Sequence, residues 1–296
     1  MSSHSQTQYL NSTLCICIAI YNHAEYIEDC LRSIFDQKLP NISVIICDDK
    51  STDNSLQVIG NLSKKWPITI LSNKQNKGVS ETFNHIYANA PECDYYMNLG
   101  SDDRLETGAL QKMLTFMQQN QHVAAVTGGY HVIDENGNRS NSGPPAKYTP
   151  GPLDAYDWSL GQRELPHPWL MIRAAAHKEM RPIPSYLIFE DLYMVMWLVS
   201  EKQTIHCLDD ITFSYRQHSS NNSSNHFKTG LAVLETCLEF YSSRIARNYL
   251  KCHYFYNKKK LVRFWINTAN CFPALHNLSK KQLLHAASSL KASATK

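Results

Sequence analysis

Four short, mostly apolar runs, each followed by a helical pattern, constrain this chain more than any other feature, and the first of them is continuous. The runs are Leu14-Cys-Ile-Cys-Ile-Ala-Ile20, Ile42 to Cys47, Ile68 to Leu71 and Tyr95 to Leu99. A continuous apolar run of this length suits a strand covered on both faces. The intervening patterns read as helices: Ile27, Leu31 and Ile34 on one face, a helix opening at Ser51 with a capping residue, Gly78 to Ala88, and Glu106 to Gln119. Strands and helices alternating at this spacing give βαβ units and a mostly parallel sheet.

Beyond residue 120 the pattern is less regular. Val123 to Tyr130 and Tyr130 to Ile133 read as two strands, with a turn at Glu135-Asn-Gly-Asn. Residues 137–167 are rich in Gly, Pro, Asn and Ser and read as a long surface loop of the kind that carries binding residues. Trp169 to Arg173 reads as a strand, Ala174 to Met180 and Asp191 to Ser200 as helices, and residues 218–226 as a polar hinge. Leu231, Leu234, Leu238, Tyr241 and Ile245 then step by three and four along one helical face.

Composition narrows the class. With 43% hydrophobic and 19% charged residues, the chain can bury a sizeable core and is not a disordered one. No apolar run approaches the ~20 residues of a spanning helix. The start, MSSHSQTQYLNST, lacks a basic segment leading into an apolar one, so no cleaved secretion signal is expected. Nine cysteines, scattered and without a CxxC pair, read as reduced core residues of a cytoplasmic protein. Charge is uneven. Residues 1–225 hold 17 Lys/Arg against 24 Asp/Glu, and residues 226–296 hold 12 against 2. A segment with that excess points to an anionic neighbour or to a solvated helical face. No nucleic-acid-binding motif accompanies it, so no nucleic-acid partner is expected.

Three polar clusters follow predicted strands: Tyr21-Asn22 after the first, Asp48-Asp49 after the second, and Asp102-Asp103 after the fourth. Carboxyl ends of parallel strands are where doubly wound sheets bind ligands. Acids gathered there repel one another unless a cation or a donor-rich ligand joins them. Neither GxxxxGK[ST] nor a GxGxxG after a strand is present, so a bound nucleotide would have its phosphates held through a metal. Taken singly, each acidic pair also reads as a turn before a helix cap.

The stretch CIAIYNHAEYIEDCLRSIFDQ…ISVIICDDKSTDNS…NKGVSETFN…YYMNLGSDDRL resembles the family 2 glycosyltransferases, as do FEDLYMVMWLV and YRQHSSNNSS further on. The resemblance covers about residues 13–220. It implies a GT-A fold: an α/β, Rossmann-like, mostly parallel sheet flanked by helices. The catalytic domain would span 1–225, with a nucleotide-sugar half at about 13–103 and an acceptor half at about 104–225, and residues 226–296 would form a basic helical extension. It implies that Tyr21 stacks near the base of a UDP-sugar, that Asp49 accepts a hydrogen bond from uracil, and that Asp102 contacts ribose or metal. Asp103 would bind Mg²⁺ or Mn²⁺, and His218 would close over the diphosphate or metal. Ala19, Asn22, Asp48, Gly78 and Asn84 complete the implied nucleotide-sugar site. Asp191 would be the general base, with Glu190 beside it.

Three positions depart from the family's usual pattern. Ala19-Ile20 stands where Pro-Thr is common, Phe83 where Arg is common, and Gly100 where the first acid of Asp-x-Asp-Asp is common. The resemblance implies a metal-dependent, inverting transfer from a UDP-sugar to a saccharide acceptor, lipid-linked at the cytoplasmic face of the membrane, in surface polysaccharide assembly such as O-antigen or capsule. The alternative is a non-catalytic nucleotide- or saccharide-binding protein that kept the fold.

Overall fold

The computed structural model describes residues 12–140, 149–162, 169–219, 226–240 and 242–249. Among them, nine strands form one sheet: β1 (Leu14–Ile20), β2 (Ile42–Asp48), β3 (Ile68–Ser72), β4 (Tyr95–Asn98), β5 (Arg104–Leu105), β6 (Ala125–Ile133), β7 (Gly151–Pro152), β8 (Met171–Arg173) and β9 (Ile205–Arg216). Their order is β3-β2-β1-β4-β8-β6-β9-β5, with β7 paired to β9. The helices are α1 (Ile27–Phe35), α2 (Ser55–Leu62), α3 (Val79–Asn89), α4 (Ala109–Gln119), α5 (Ala155–Ser159), α6 (Ala174–Glu179), α7 (Glu190–Ser200) and α8 (His226–Glu239).

The first half follows the apolar pattern closely. β1 lies between β2 and β4, parallel to both, which is why its residues are apolar without interruption. Ile27, Cys30, Leu31 and Ile34 of α1 are all buried, the i, i+3, i+4, i+7 face of a helix laid on a sheet. They share one core with Ile16, Ile18 and Ile20 of β1 and with Leu110, Met113 and Met117 of α4. The sheet is mixed only where β8 enters antiparallel between β4 and β6, and where β5 and β7 pair antiparallel with β9.

Several expectations need correction. The helix after β2 starts at Ser55, four residues later than expected, because residues 51–53 are held in a turn by Asp48 and Asn22. The helix expected from Glu106 starts at Ala109, after Gly108 in the left-handed region at φ 75°. The two strands expected across Tyr130 are one, β6. The strand expected from Trp169 begins at Met171. The loop expected over 137–167 carries β7 and the short helix α5, capped by Asp154. The tail helix stops at Glu239, and a separate helical turn begins at residue 244.

The longest strand, β9, was not anticipated from sequence. It runs parallel to β6, with register shifts around Gly129. Gly128 lies at that irregularity, and a Cβ there would meet Thr212 Oγ1 at 2.5 Å and the Asp210 carbonyl at 2.7 Å. Only glycine lets the two strands approach so closely.

The described residues of 12–153 and 169–218 form one compact unit, and those of 154–162 and 219–249 a second. The second unit holds α5 and α8, with the Trp158 ring 4.6 Å from that of Tyr249 and Arg244 over the Tyr156 ring. The Lys258–Lys260 run, Phe264 and Trp265 lie outside the described residues. No helix among the described residues is long and apolar enough to cross a membrane.

Candidate active site

The carboxyl ends of β1, β2 and β4 bring the sequence-predicted residues to one edge of the sheet, where each has a distinct local role. Tyr21 is exposed just past β1, the direction expected of a residue that meets a ligand. Asn22 takes φ 55°, a conformation that asparagine tolerates better than most residues. Its Oδ1 accepts from the Thr52 amide at 2.7 Å and the Asp53 amide at 3.3 Å, tying the β1 loop to the β2 loop. Ala19 lies within β1, in register with Cys47.

The two β2 acids separate. Asp48 ends the strand and accepts from the Ser51 amide at 3.2 Å, closing a turn. Asp49 is buried; its Oδ1 accepts from Asn73 Nδ2 and the Lys77 amide, and its Oδ2 from the Gly78 amide, each at 2.8 Å. Three donors thus fix Asp49 and place the start of α3. Gly78 caps that helix at φ 85°, where a side chain would be strained.

From α3, Asn84 reaches across to the approach to α7. Its Nδ2 donates to the Ile183 carbonyl at 2.7 Å, and its Oδ1 accepts from the Ile183 amide at 3.0 Å. Ser80 Oγ donates to the Leu187 carbonyl at 2.7 Å. These bonds hold the segment that delivers Glu190 and Asp191. Glu190 is buried, and burial followed by the charge of Asp191 pushes its carboxyl well above the usual range. Burial pushes Asp191 up to about 6, against the opposing pull of the Leu192 amide, which donates to its Oδ1. Phe83, the family's usual arginine position, is buried in the interior.

The acids after β4 also diverge. Asp103 is 1% exposed and turned inward; its Oδ1 accepts from the Arg216 amide at 2.9 Å and its Oδ2 from Trp169 Nε1 at 2.6 Å. Burial, then the neighbouring charge of Asp102, push its carboxyl well above the usual range. Asp102 takes the opposite direction. Burial disfavours its charge, but the His218 hydrogen bond and the charges of His23 and His218 outweigh that and hold it below the usual range. His218 Nε2 lies 2.9 Å from Asp102 Oδ2. A ring nitrogen of His23, a carboxylate oxygen of Asp102 and a ring nitrogen of His218 lie within 4.8 Å of one another.

Gly100 explains itself in this turn. A Cβ there would meet Asp102 Oδ1 and Asp103 Oδ2 at 2.9 Å and Trp169 Cζ2 at 3.0 Å. The indole of Trp169 occupies the space that the family's usual acid would need.

Four contributors were not singled out from sequence: His23, Asp29, Trp169 and Arg216. Arg216 is 2% exposed and braces the whole turn. Its Nε donates to the Asp102 carbonyl at 2.7 Å, its Nη1 to the Asp134 and Glu135 carbonyls, and its Nη2 to Asp29 Oδ2 at 2.6 Å. Its guanidinium also lies over the Tyr26 ring, which stacks on His218 at 4.8 Å. The signal open to a sequence reading was the position of Arg216, two residues before the site histidine in the Y-R-Q-H run.

Comparison with known proteins identifies the family and the fold. The family model for glycosyl transferase family 2 matches residues 15–179. The chain is 28% identical over 170 residues to EpsE of Bacillus subtilis, a protein named as a glycosyltransferase, covering 56% of this chain and 58% of that one. It is 29% identical over 149 residues to the chondroitin synthase of Escherichia coli, covering 50% of this chain but only 20% of the synthase. The match therefore spans less than two thirds of either relative. Among solved structures, Staphylococcus aureus TarS in complex with UDP-GlcNAc superposes with a TM-score of 0.69 at 19% identity, covering 86% of this chain and 79% of that one. The mannosyltransferase PcManGT of Pyrobaculum calidifontis, in complex with GDP-Man and Mn²⁺, gives 0.64 at 11% identity, covering 97% and 86%. At these identities the structural matches speak for the GT-A fold alone. The family model covers more than half of the sequence, and the chain belongs to glycosyl transferase family 2.

Proposed function

We propose that this protein transfers a sugar from a UDP-sugar to a saccharide acceptor by a single displacement that inverts the anomeric centre, with a divalent cation at the diphosphate. The observation that carries this reading is the Asp102–His218 pair at the carboxyl edge of the sheet. The carboxylate is a hard oxygen donor of the kind that Mn²⁺ and Mg²⁺ take, and the imidazole beside it adds a nitrogen donor. When bound, such an ion stabilises the charge of the departing diphosphate as a Lewis acid.

The protein's own groups supply the rest. Exposed Tyr21 offers a face for the nucleobase, beside the loop that Asn22 fixes. Asp49 holds the backbone of residues 77–78 and so shapes the floor of the donor site. Asp191 takes the proton of the acceptor hydroxyl as it attacks. A carboxylate whose affinity for protons is raised by burial is a better base near neutral pH than an exposed one. One base and no covalent nucleophile suffice for inversion. Burial, then the charge of Asp191, push the Glu190 carboxyl upward, which favours its uncharged form beside that base.

The name of the E. coli relative supports a polysaccharide acceptor. The basic composition of residues 226–296 supports a lipid-linked acceptor at an anionic membrane surface, where each basic residue adds ~1 kcal/mol. Salt-sensitive sedimentation with anionic vesicles, and its loss when Lys258–Lys260 become Glu, tests that part. The reaction itself is tested with a panel of nucleotide sugars, measuring slow Mn²⁺-dependent release of nucleoside diphosphate without acceptor. Release from one UDP-sugar is expected. Tight UDP binding with no release from any donor, with or without acceptor saccharides, would favour a binding protein instead.

A further inference from the structure

The histidine in the first loop stands out among residues that neither the sequence motifs nor the proposed transfer employs. His23 follows Tyr21-Asn22 and precedes α1. Its backbone amide donates to Ser55 Oγ at 3.1 Å, and its Nδ1 lies 2.7 Å from Ser101 Oγ. Ser101 immediately precedes Asp102, so the same turn that carries the carboxylate also orients the imidazole. The His23 ring meets the His218 ring edge-on at 5.5 Å and the Tyr26 ring at 5.7 Å. Both imidazoles and the Asp102 carboxylate therefore converge from three separate segments: the β1 loop, the β4 turn and the end of β9.

We propose that His23 is a third protein ligand of the divalent cation, completing a two-imidazole, one-carboxylate site that favours Co²⁺ and Mn²⁺ over Mg²⁺. The proposal rests on the metal-dependent reading above and adds to it a ligand and a metal preference. Three observations carry it. One donor atom from each of His23, Asp102 and His218 falls within 4.8 Å of the others, the only such grouping of at least three His, Cys, Asp or Glu among the described residues. The Ser101 hydroxyl engages Nδ1, which leaves Nε2 as the nitrogen for a metal; a ligating histidine is usually oriented by a partner on its other nitrogen in this way. Asp103, by contrast, has one oxygen on the Arg216 amide and the other on Trp169 Nε1, so both oxygens of the second acid are already engaged, and it is not part of this grouping. A site with one carboxylate and two imidazoles is softer than an all-oxygen site. Imidazole discriminates along the transition series and against Mg²⁺, which prefers hard oxygen donors and holds its waters. The three side chains would hold the ion and leave it able to accept further oxygen donors.

The test reads metal binding rather than turnover. The full chain with UDP is titrated with Mn²⁺, following loss of the free-ion EPR signal, and with Co²⁺, following its visible absorption; Mg²⁺ is measured by competition. The expected order of affinity is Co²⁺ above Mn²⁺ above Mg²⁺. His23→Phe keeps a ring against Tyr26 and His218 but has no nitrogen. It should weaken Mn²⁺ and Co²⁺ about tenfold or more while changing Mg²⁺ far less, so the preference narrows. Ser101→Ala should give a smaller loss in the same direction, because an outer partner orients the ligand without touching the ion. Spin-echo spectra of the unmutated Mn²⁺–UDP complex should show two imidazole nitrogens, which needs no variant to fold. One imidazole in those spectra, or equal weakening of all three ions in His23→Phe, would overturn the proposal and leave the Asp102–His218 reading standing. No divalent binding at all by the unmutated protein with UDP would overturn both.

Discussion

Arg216 Nη2 donates to Asp29 Oδ2 at 2.6 Å, joining the end of β9 to α1 directly beneath the turn that carries Asp102 and Asp103. Because Arg216 is buried and Asp29 is 40% exposed, the pair is asymmetric: losing the arginine leaves a solvated carboxylate but several buried carbonyls without a donor. Arg216→Ala should cost about 2–3 kcal/mol, the scale of a hydrogen bond to a charged group in a network. Asp29→Asn should cost less, because the other Arg216 bonds remain. Urea unfolding with an unchanged slope measures both.

Asp191→Asn should reduce turnover by ~10² to 10⁴ while UDP affinity stays at the parent value. In the parent, turnover under saturating substrate should fall as pH drops through about 6, the value to which burial raises Asp191. The same shift has an opposite consequence for stability. A carboxyl whose folded value lies above its unfolded one binds more protons when folded, so ionising it on raising the pH from about 4 to above 6 costs stability. Asp191→Asn should therefore melt higher than the parent above pH 6 and lose that advantage near pH 4. A variant that melts lower throughout would show that the site does not hold a strained base.

The two acids after β4 should respond differently to substitution. Excess EDTA should stop turnover and Mn²⁺ should restore it. Asp102→Asn should weaken Mn²⁺ binding, since it removes the carboxylate opposite His218. Asp103→Asn should keep measurable Mn²⁺ binding but cost about 1–3 kcal/mol of stability, because an amide nitrogen facing Trp169 Nε1 cannot accept its proton. Metal titration and thermal melts on the same two proteins separate the roles.

Gly100→Ala should destabilise the fold by about 1–3 kcal/mol, because its Cβ would press on both acids and on Trp169. Combining it with Trp169→Ala should cost less than the sum of the single changes, with a coupling of about 1 kcal/mol. Additive losses would mean that the indole is not what excludes a side chain at position 100.

The first half was legible because its central strands are buried and so spell largely apolar runs. β1 is the plainest instance. β9 was not, because Asp209 and Asp210 interrupt it. Asp209 is exposed, and Asp210 forms an ion pair with Lys112, where the strand runs past Gly128 and its register with β6 slips. A polar pair in mid-sequence breaks the apolar pattern of a strand, and the bulge that tolerates it is invisible without the partner strand. The acidic edge was legible from composition and position, but not which acid does what. Asp102 and Asp103 are adjacent in sequence, yet one faces His218 and the other Trp169 and Arg216. Direction within a tight turn depends on partners more than 100 residues away, so local pattern carries no trace of it. His23 and Asp29 look like ordinary loop and helix-surface residues until Ser101 and Arg216 reach them.

The place of β9 in the sheet also sets an order of events. It lies between β6 and β5, and its last residue bonds to Asp29, 187 positions earlier. Loop-closure entropy for such a contact is lost before the contact itself returns any stability. The β1–β4 half, with its local βαβ contacts, can therefore form first, and the corner that joins His23, Asp102 and His218 comes together only when this late strand docks. A refolding experiment should show most of the sheet signal returning ahead of Mn²⁺ binding, and a chain cut before Ile205 should keep structure in its first half yet have no assembled corner to bind the ion.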